Sequence, residues 1–140
     1  MITVPSHPKY LSFVRAATVM MGVQNKVDNT VIEHMEHAVD EACSNVIKHA
    51  YAGDPDNQIW VTLRVSPEAF EVIIEDSGLK ADVASIKGRD LDDIRPGGLG
   101  VHLIKRACDV VEFDEKKKKG NRLRLVKYLK VKHGNKDTRP

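Results

Sequence analysis

Apolar residues recur at a helical spacing through the first third of the chain and at a spacing of two beyond it, and the change of period divides the sequence into elements. An α-helix advances about 100° per residue, so Ile32, Val39, Cys43, Val46 and Ala50 fall within roughly 40° of one line, flanked by Met35, Ala42 and Ile47. The stripe predicts a core-facing helix that opens on a capping box of Thr30 and Glu33 and runs to about Ala50, about 30 Å in all. Upstream, Leu11, Val14, Ala17 and Met21 supply the apolar face of a first helix from about Pro8 to Met21, with Gly22 as terminator and Arg15 exposed off the stripe. Ile2 to Val4 reads as a short edge strand ended by Pro5.

Gly53-Asp54-Pro55-Asp56-Asn57 is a turn by composition, and from Gln58 the period becomes two. Ile59, Val61, Leu63 and Val65 alternate with Trp60, Thr62 and Arg64; Phe70, Val72 and Ile74 alternate with Glu71 and Glu75. The two runs flank Ser66-Pro67-Glu68 and predict a hairpin of half-buried strands. Between Leu79 and Pro96 scattered apolar residues among many charges predict a lid. A helix from about Gly100 to Cys108 should bring Val101, Leu103, Ile104 and Ala107 to one side. Asp109 to Asp114 and Asn121 to Lys130 read as two further strands around a basic turn.

At 140 residues the chain suits one domain, expected over residues 1–131, with a polar tail over 132–140 that has too little apolar content to order itself. With 41% apolar and 30% charged residues and a formal charge of +2, composition points to no class of polyanionic partner. The first residues lack a basic segment followed by an apolar run, and no stretch approaches the roughly 20 apolar residues of a membrane span, so a cytoplasmic protein is expected. Cys43 and Cys108 stand far apart, each within an amphipathic helix, and read as small core residues in a reducing compartment.

Three polar or glycine signals remain once the core is assigned. Glu41, Asn45 and Lys48 gather about 180° from the apolar stripe of the long helix, with Glu41 and Asn45 adjacent at i, i+4. Glu75-Asp76-Ser77-Gly78 ends the second long strand, where a glycine would let a flat ring approach the backbone. Arg95-Pro96-Gly97-Gly98-Leu99-Gly100 opens the next helix, whose free N–H groups and dipole favour phosphate. The third glycine of the dinucleotide pattern is missing, and no Gly-x-x-x-x-Gly-Lys-Ser/Thr is present.

Glu41-Ala42-Cys43-Ser44-Asn45-Val46-Ile47-Lys48-His49-Ala50-Tyr51, Asp76-x-Gly78 and Gly97-Gly98-Leu99-Gly100 resemble the three nucleotide-binding boxes of the GHKL, or Bergerat-fold, ATPase superfamily. The Asn-Val-Ile-Lys-His-Ala-Tyr ending and the glycine box followed by Val-His-Leu-Ile-Lys resemble the bacterial anti-sigma-factor serine/threonine protein kinases. The resemblance, from about Arg15 to Leu125, implies an α/β two-layer sandwich: a mixed, mostly antiparallel sheet covered on one face by helices, binding ATP or ADP with Mg²⁺ between the long helix and the lid. A pocket bordered by Asn45, Asp76 and Gly98 is expected. On the same ground Asn45 is the Mg²⁺ ligand and Lys48 lies near the phosphates. Glu41 is the proton acceptor for a partner hydroxyl. Asp76 accepts from the adenine amino group, Gly78 leaves room for the ring, and Gly97, Gly98 and Gly100 wrap the phosphates. Arg15 matches a partner-contacting arginine of the family's first helix.

The implied function is phosphorylation of an anti-sigma antagonist together with sequestration of a sigma factor, without direct nucleic-acid or membrane contact; a homodimer is compatible with the family. The alternative is a nucleotide-dependent partner switch without kinase activity. Two positions depart from the pattern: Lys80 and Ala81 stand where the family commonly has a Pro-Phe pair, and Asn121 follows Gly120 where the branch often has threonine. His34 and His37 with Glu33 and Glu36 fan round an exposed helix face rather than converging on a metal, and Lys116 to Lys119 lack the interleaved aromatics of a nucleic-acid surface.

Overall fold

The computed structural model describes residues 1–81 and 99–130, with the side chains of 99–102 left aside. The elements are β1 (Ile2–Pro5), a 3₁₀ turn (Pro8–Tyr10), α1 (Leu11–Gln24), α2 (Asn29–Asn45), a π-helical turn (Val46–Ala50), β2 (Gln58–Val65), β3 (Ala69–Asp76), α3 (Leu99–Ala107), β4 (Val110–Phe113) and β5 (Asn121–Tyr128). Most of the expected lid and the tail lie outside the described residues.

The strands form one sheet in the order β1-β2-β3-β5-β4. Among the described residues every neighbouring pair is antiparallel, which bears out the mostly antiparallel α/β sheet expected, without the parallel pair that a mixed sheet would add. The reason is topological. β3 and β4 run in the same direction, but the β4–β5 hairpin folds β5 between them, and among the described residues no parallel pair becomes adjacent.

Alternation then decides what each face meets. Ile59 and Val61 of β2, Phe70, Val72 and Ile74 of β3, and Leu123 and Leu125 of β5 are buried in one cluster with Leu11, Val14, Met35, Val39, Cys43, Ile47 and Ile104 from the helices. On the opposite face Glu71 binds Arg124 at 2.6 Å and Arg64 at 3.4 Å. The hydrogen bond from Arg124 holds the Glu71 carboxyl below the usual carboxylate range.

Three local expectations are corrected. Gly22 lies inside α1 and is buried; a Cβ there would sit 2.5 Å from Ile32 Cγ1, so glycine serves the close approach of α1 to α2 rather than ending the helix. The buried face is accordingly Leu11, Val14, Thr18 and Gly22, with the Thr18 hydroxyl donating back to the Val14 carbonyl at 2.8 Å. The Thr30–Glu33 capping box does not form, because α2 begins at Asn29; Thr30 is then already in the first turn and cannot cap from outside it. Leu103 is 49% exposed, and α3 packs through Ile104 and Ala107.

Both cysteines are buried and unpaired. Burial, reinforced by the charge of Asp40, pushes the Cys43 thiol up to about 12, and burial with the charge of Asp109 pushes Cys108 up to about 12 against the opposing effect of Lys127. Thiolate is therefore scarce at pH 8, and access is closed as well. Iodoacetamide at pH 8 is expected to label both cysteines in urea and neither in the folded protein; native labelling at the unfolded rate, read by mass spectrometry, would contradict this placement.

Candidate functional site

The long helix does not end as an α-helix. After Asn45 it widens into a π turn, in which the Tyr51 N–H bonds the Val46 carbonyl five residues back at 3.0 Å. Each residue of such a turn advances less than an α-helical step, so the stripe drawn from Ile32 onward rotates out of register: Ile47 and Ala50 are buried, whereas Val46 is only partly so. The turn also releases carbonyls toward the rest of the fold. Ala50 O accepts from Leu79 N at 2.8 Å, and Ile47 O accepts from Gly53 N at 2.7 Å.

That bond brings the end of the helix against the end of β3. Gly78 packs on it directly, since a Cβ at 78 would lie 2.2 Å from the Ala50 carbonyl oxygen. Tyr51 adds a second tie: its hydroxyl donates to the Gln58 carbonyl and accepts from Ser77 N at 2.9 Å. The start of β2, the end of β3 and the wide turn therefore meet at one phenol oxygen.

Asp76 follows Val72 and Ile74 on the helix-facing side of β3, which is why a carboxylate at a strand end is only 2% exposed. Its Oδ1 accepts the Gly78 N–H at 2.9 Å. Directly opposite in register stands Asn121, the first residue of β5 and on the same face as Leu123 and Leu125. Asn121 Nδ2 donates to Asp76 Oδ1 at 3.0 Å, to Oδ2 at 3.2 Å and to the Leu79 carbonyl at 2.8 Å, while Asn121 Oδ1 accepts from Ala81 N at 2.7 Å. Burial raises the Asp76 pKa from its ordinary value, and the bonds from Gly78 and Asn121 and the charge of Lys117 work against that rise.

Glu41 and Asn45 are partly buried on α2, and Lys48 is exposed in the π turn. Among the described residues none of the three has a side-chain hydrogen bond or ion pair. Gly97 and Gly98 lie outside the described residues, and so does the third border of the expected pocket; Gly100 falls in the first turn of α3. A shallow cavity of about 510 Å³ does adjoin the site, lined by Ala50, Ser77, Gly78 and Gly120 with Lys80, Lys118 and Lys119 at its rim; Glu41, Asn45 and Asp76 are not among its walls. The basic turn thus borders this cavity, and Lys80 donates its ammonium to the Lys117 carbonyl. Arg15 is not a free side chain: it pairs with Asp40 of α2 at 2.7 Å, with 39% of the side chain exposed.

Motif reading marked Asn121 only as a departure from the threonine common at that place and gave it no role. Its parity with Leu123 and Leu125 placed it on the inner face, but its position opposite Asp76 depends on a register that only the folded sheet supplies.

Fold and site together define a two-layer α/β sandwich whose polar centre is built at one end of the sheet, where the wide turn of α2 meets the ends of β3 and β5. The chain belongs to the histidine kinase-like ATPase domain family, whose model matches residues 4–127. It is 30% identical to the serine-protein kinase RsbW of Bacillus subtilis over 146 residues, covering 96% of this chain and 88% of that protein. The serine-protein kinases RsbW of Listeria innocua and Bacillus velezensis are 30% and 31% identical, each alignment covering 94% of this chain and 87% and 88% of those proteins. In fold, the chain is similar to the histidine kinase domain of the blue-light activated histidine kinase of Erythrobacter litoralis, with a TM-score of 0.54 at 16% identity; the match covers 96% of this chain and 64% of that one.

Proposed function

We propose that this protein is an ATP-dependent serine/threonine protein kinase of the anti-sigma-factor type, whose substrate is an antagonist protein and whose second partner is a sigma factor. The observation that carries this reading is the pair Glu41 and Asn45: two partly buried polar side chains at i, i+4 that have no partner among the described residues, on the helix whose end abuts Asp76-Ser77-Gly78. The names and extent of the related serine-protein kinases support the same reading.

In this mechanism Asp76 accepts a hydrogen bond from the purine amino group, and Gly78 leaves the ring space against the backbone. Asn45 presents an amide oxygen that no described side chain or backbone group uses, which fits a hard cation. Mg²⁺ characteristically takes few protein ligands and completes its shell with phosphates and water, so one oxygen at this position suffices; when bound it would neutralise charge developing on the phosphates. Lys48, one turn on, would lie near the phosphate end, with the N–H groups around Gly97, Gly98 and Gly100 receiving the oxygens. Glu41 accepts the proton of the attacking hydroxyl. A carboxylate serves, because a loose phosphoryl-transfer transition state asks chiefly for positioning and charge stabilisation.

In this reading the partner protein meets α1. Phe13 and Met20 are 63% and 57% exposed on one side of that helix, and on another side the part-exposed Arg15–Asp40 pair is worth about 0–1 kcal/mol and can give way to a partner carboxylate.

The test is transfer of labelled γ-phosphate to a co-purified partner, with nucleotide affinity measured by calorimetry. Asp76→Asn is expected to weaken ATP binding by roughly 10-fold or more, because an amide can present a donor to the purine donor and the bond to a charged acceptor is lost. Asn45→Ala should weaken binding of Mg-ATP more than that of ATP without Mg²⁺. Wild-type protein that binds no nucleotide would overturn the proposal.

A further inference from the structure

We propose that Asn121 is a specificity-determining residue, which acts through Asp76 to restrict the base site to a purine edge offering a single amino donor. The inference rests on the reading of Asp76 as the acceptor for the base and names what selects that base.

The orientation of the Asn121 amide is fixed by its neighbours. Asp76 Oδ1, Asp76 Oδ2 and the Leu79 carbonyl can only accept, and they face one end of the amide; the Ala81 N–H can only donate, and it faces the other. A flipped amide would set oxygen against three acceptors and leave Ala81 N–H facing a donor. One Nδ2 hydrogen is therefore taken by Leu79 O, and the other is shared between the two carboxylate oxygens.

The consequence lies in what Asp76 has left to offer. A carboxylate has about four acceptor positions, two on each oxygen. Gly78 N–H occupies Oδ1, one Asn121 Nδ2 hydrogen is shared by both oxygens, and the Asn121 backbone N–H is a further donor to the carboxylate. These three donor hydrogens leave about one acceptor position on the carboxylate. Adenine presents one amino group and meets that demand. Guanine presents a ring N–H beside its amino group, and this pair of donors would need two acceptor positions where about one is left. Discrimination against guanine arises because one guanine donor is left buried without a partner. The same amide pins residues 79 and 81, so the wall next to the base is set by the contact that filters it.

The charged groups around Asp76 leave room for a second readout. Lys117 of the β4–β5 turn favours the ionised carboxylate, Lys80, Lys118 and Lys119 rim the adjoining cavity, and Glu75 is engaged with Lys117 at 3.5 Å. Ligand binding needs Asp76 ionised, so affinity falls as pH falls through its pKa. Removing the Asn121 bond, which helps keep that pKa down, moves the fall to higher pH.

The experiment compares ATP and GTP affinities of the full chain by calorimetry from pH 8 downward, for wild type, Asn121→Ala and Asn121→Thr, with circular dichroism to check folding. Wild type should prefer ATP, and Asn121→Ala should narrow the ATP/GTP ratio by roughly tenfold or more while shifting the acid loss of ATP binding to higher pH. Threonine, with a single donor that can still reach Asp76, should retain part of the preference and serves if the alanine variant does not fold. An ATP/GTP ratio and pH midpoint that stay at wild-type values in the folded variants would overturn the assignment of Asn121 and leave the reading of Asp76 standing. Wild type that binds neither nucleotide would overturn both.

Discussion

Replacing Glu41 with glutamine is expected to lower phosphoryl transfer to the partner protein by about 10²-fold or more while leaving ATP affinity within about threefold of wild type, the range seen when a positioned proton acceptor is lost. Position 41 is partly buried on the polar side of α2, away from the stripe formed by Ile32, Met35, Val39, Ala42 and Cys43, so the fold should tolerate the change. Glutamine keeps the shape and removes the basicity, which separates proton acceptance from packing. In a single-turnover assay the loss should appear in the transfer step, with the thermal midpoint unchanged. Equal transfer by wild type and Glu41→Gln would remove Glu41 from the mechanism. Tight Mg-ATP binding without transfer by either, in the presence of a partner shown to bind, would favour a nucleotide-dependent binding module over a kinase.

Gly120→Ala should be the most damaging single methyl addition near the site. Gly120 has φ +72, a left-handed conformation that costs an L-residue roughly 1–2 kcal/mol. A Cβ there would also lie 2.0 Å from the Asp76 carbonyl oxygen and 2.7 Å from Ser77 Cα, both backbone atoms that cannot rotate aside. Relieving that contact requires the β3 and β5 ends to part, a further cost of roughly 1–3 kcal/mol for overpacking. Together the expected destabilisation is roughly 2–5 kcal/mol in urea melts. Because Asp76 and Asn121 face each other across the strands that would separate, nucleotide affinity should fall in whatever protein remains folded. Full stability with wild-type affinity would mean that the β4–β5 turn adopts another course.

Asp76 was singled out by its likeness to a nucleotide-binding box, and its burial follows from two local facts. The alternation Phe70, Val72, Ile74 extends to position 76 and assigns its side, and the glycine two residues on marks a close approach. The polar face of α2 was legible for a similar reason, since a period of 3.6 sets Glu41 and Asn45 opposite the core. Lys48 shows where this reasoning stops. The wide turn that follows Asn45 changes the angular step, and it goes with a contact between residues 50 and 79, in which the Ala50 carbonyl accepts from Leu79 N just beyond β3. Gly22 failed in the same way: local rules read it as a terminator, while Ile32 of the neighbouring helix requires it to be small.

By itself the sequence determined the order of the elements, the β2–β3 hairpin, the faces that seek the core, the burial of both cysteines, and the motifs that place the chain in its family. These follow from periodicity and from the conformational preferences of single residues, which act over one or two turns of chain. Only the tertiary structure decided that β5 lies between β3 and β4, that Arg15 is paired with Asp40, and that Asn121 stands across from Asp76 and holds residues 79 and 81. Those outcomes depend on strand order, register and helix-to-helix approach, which arise from the packing of segments tens of residues apart.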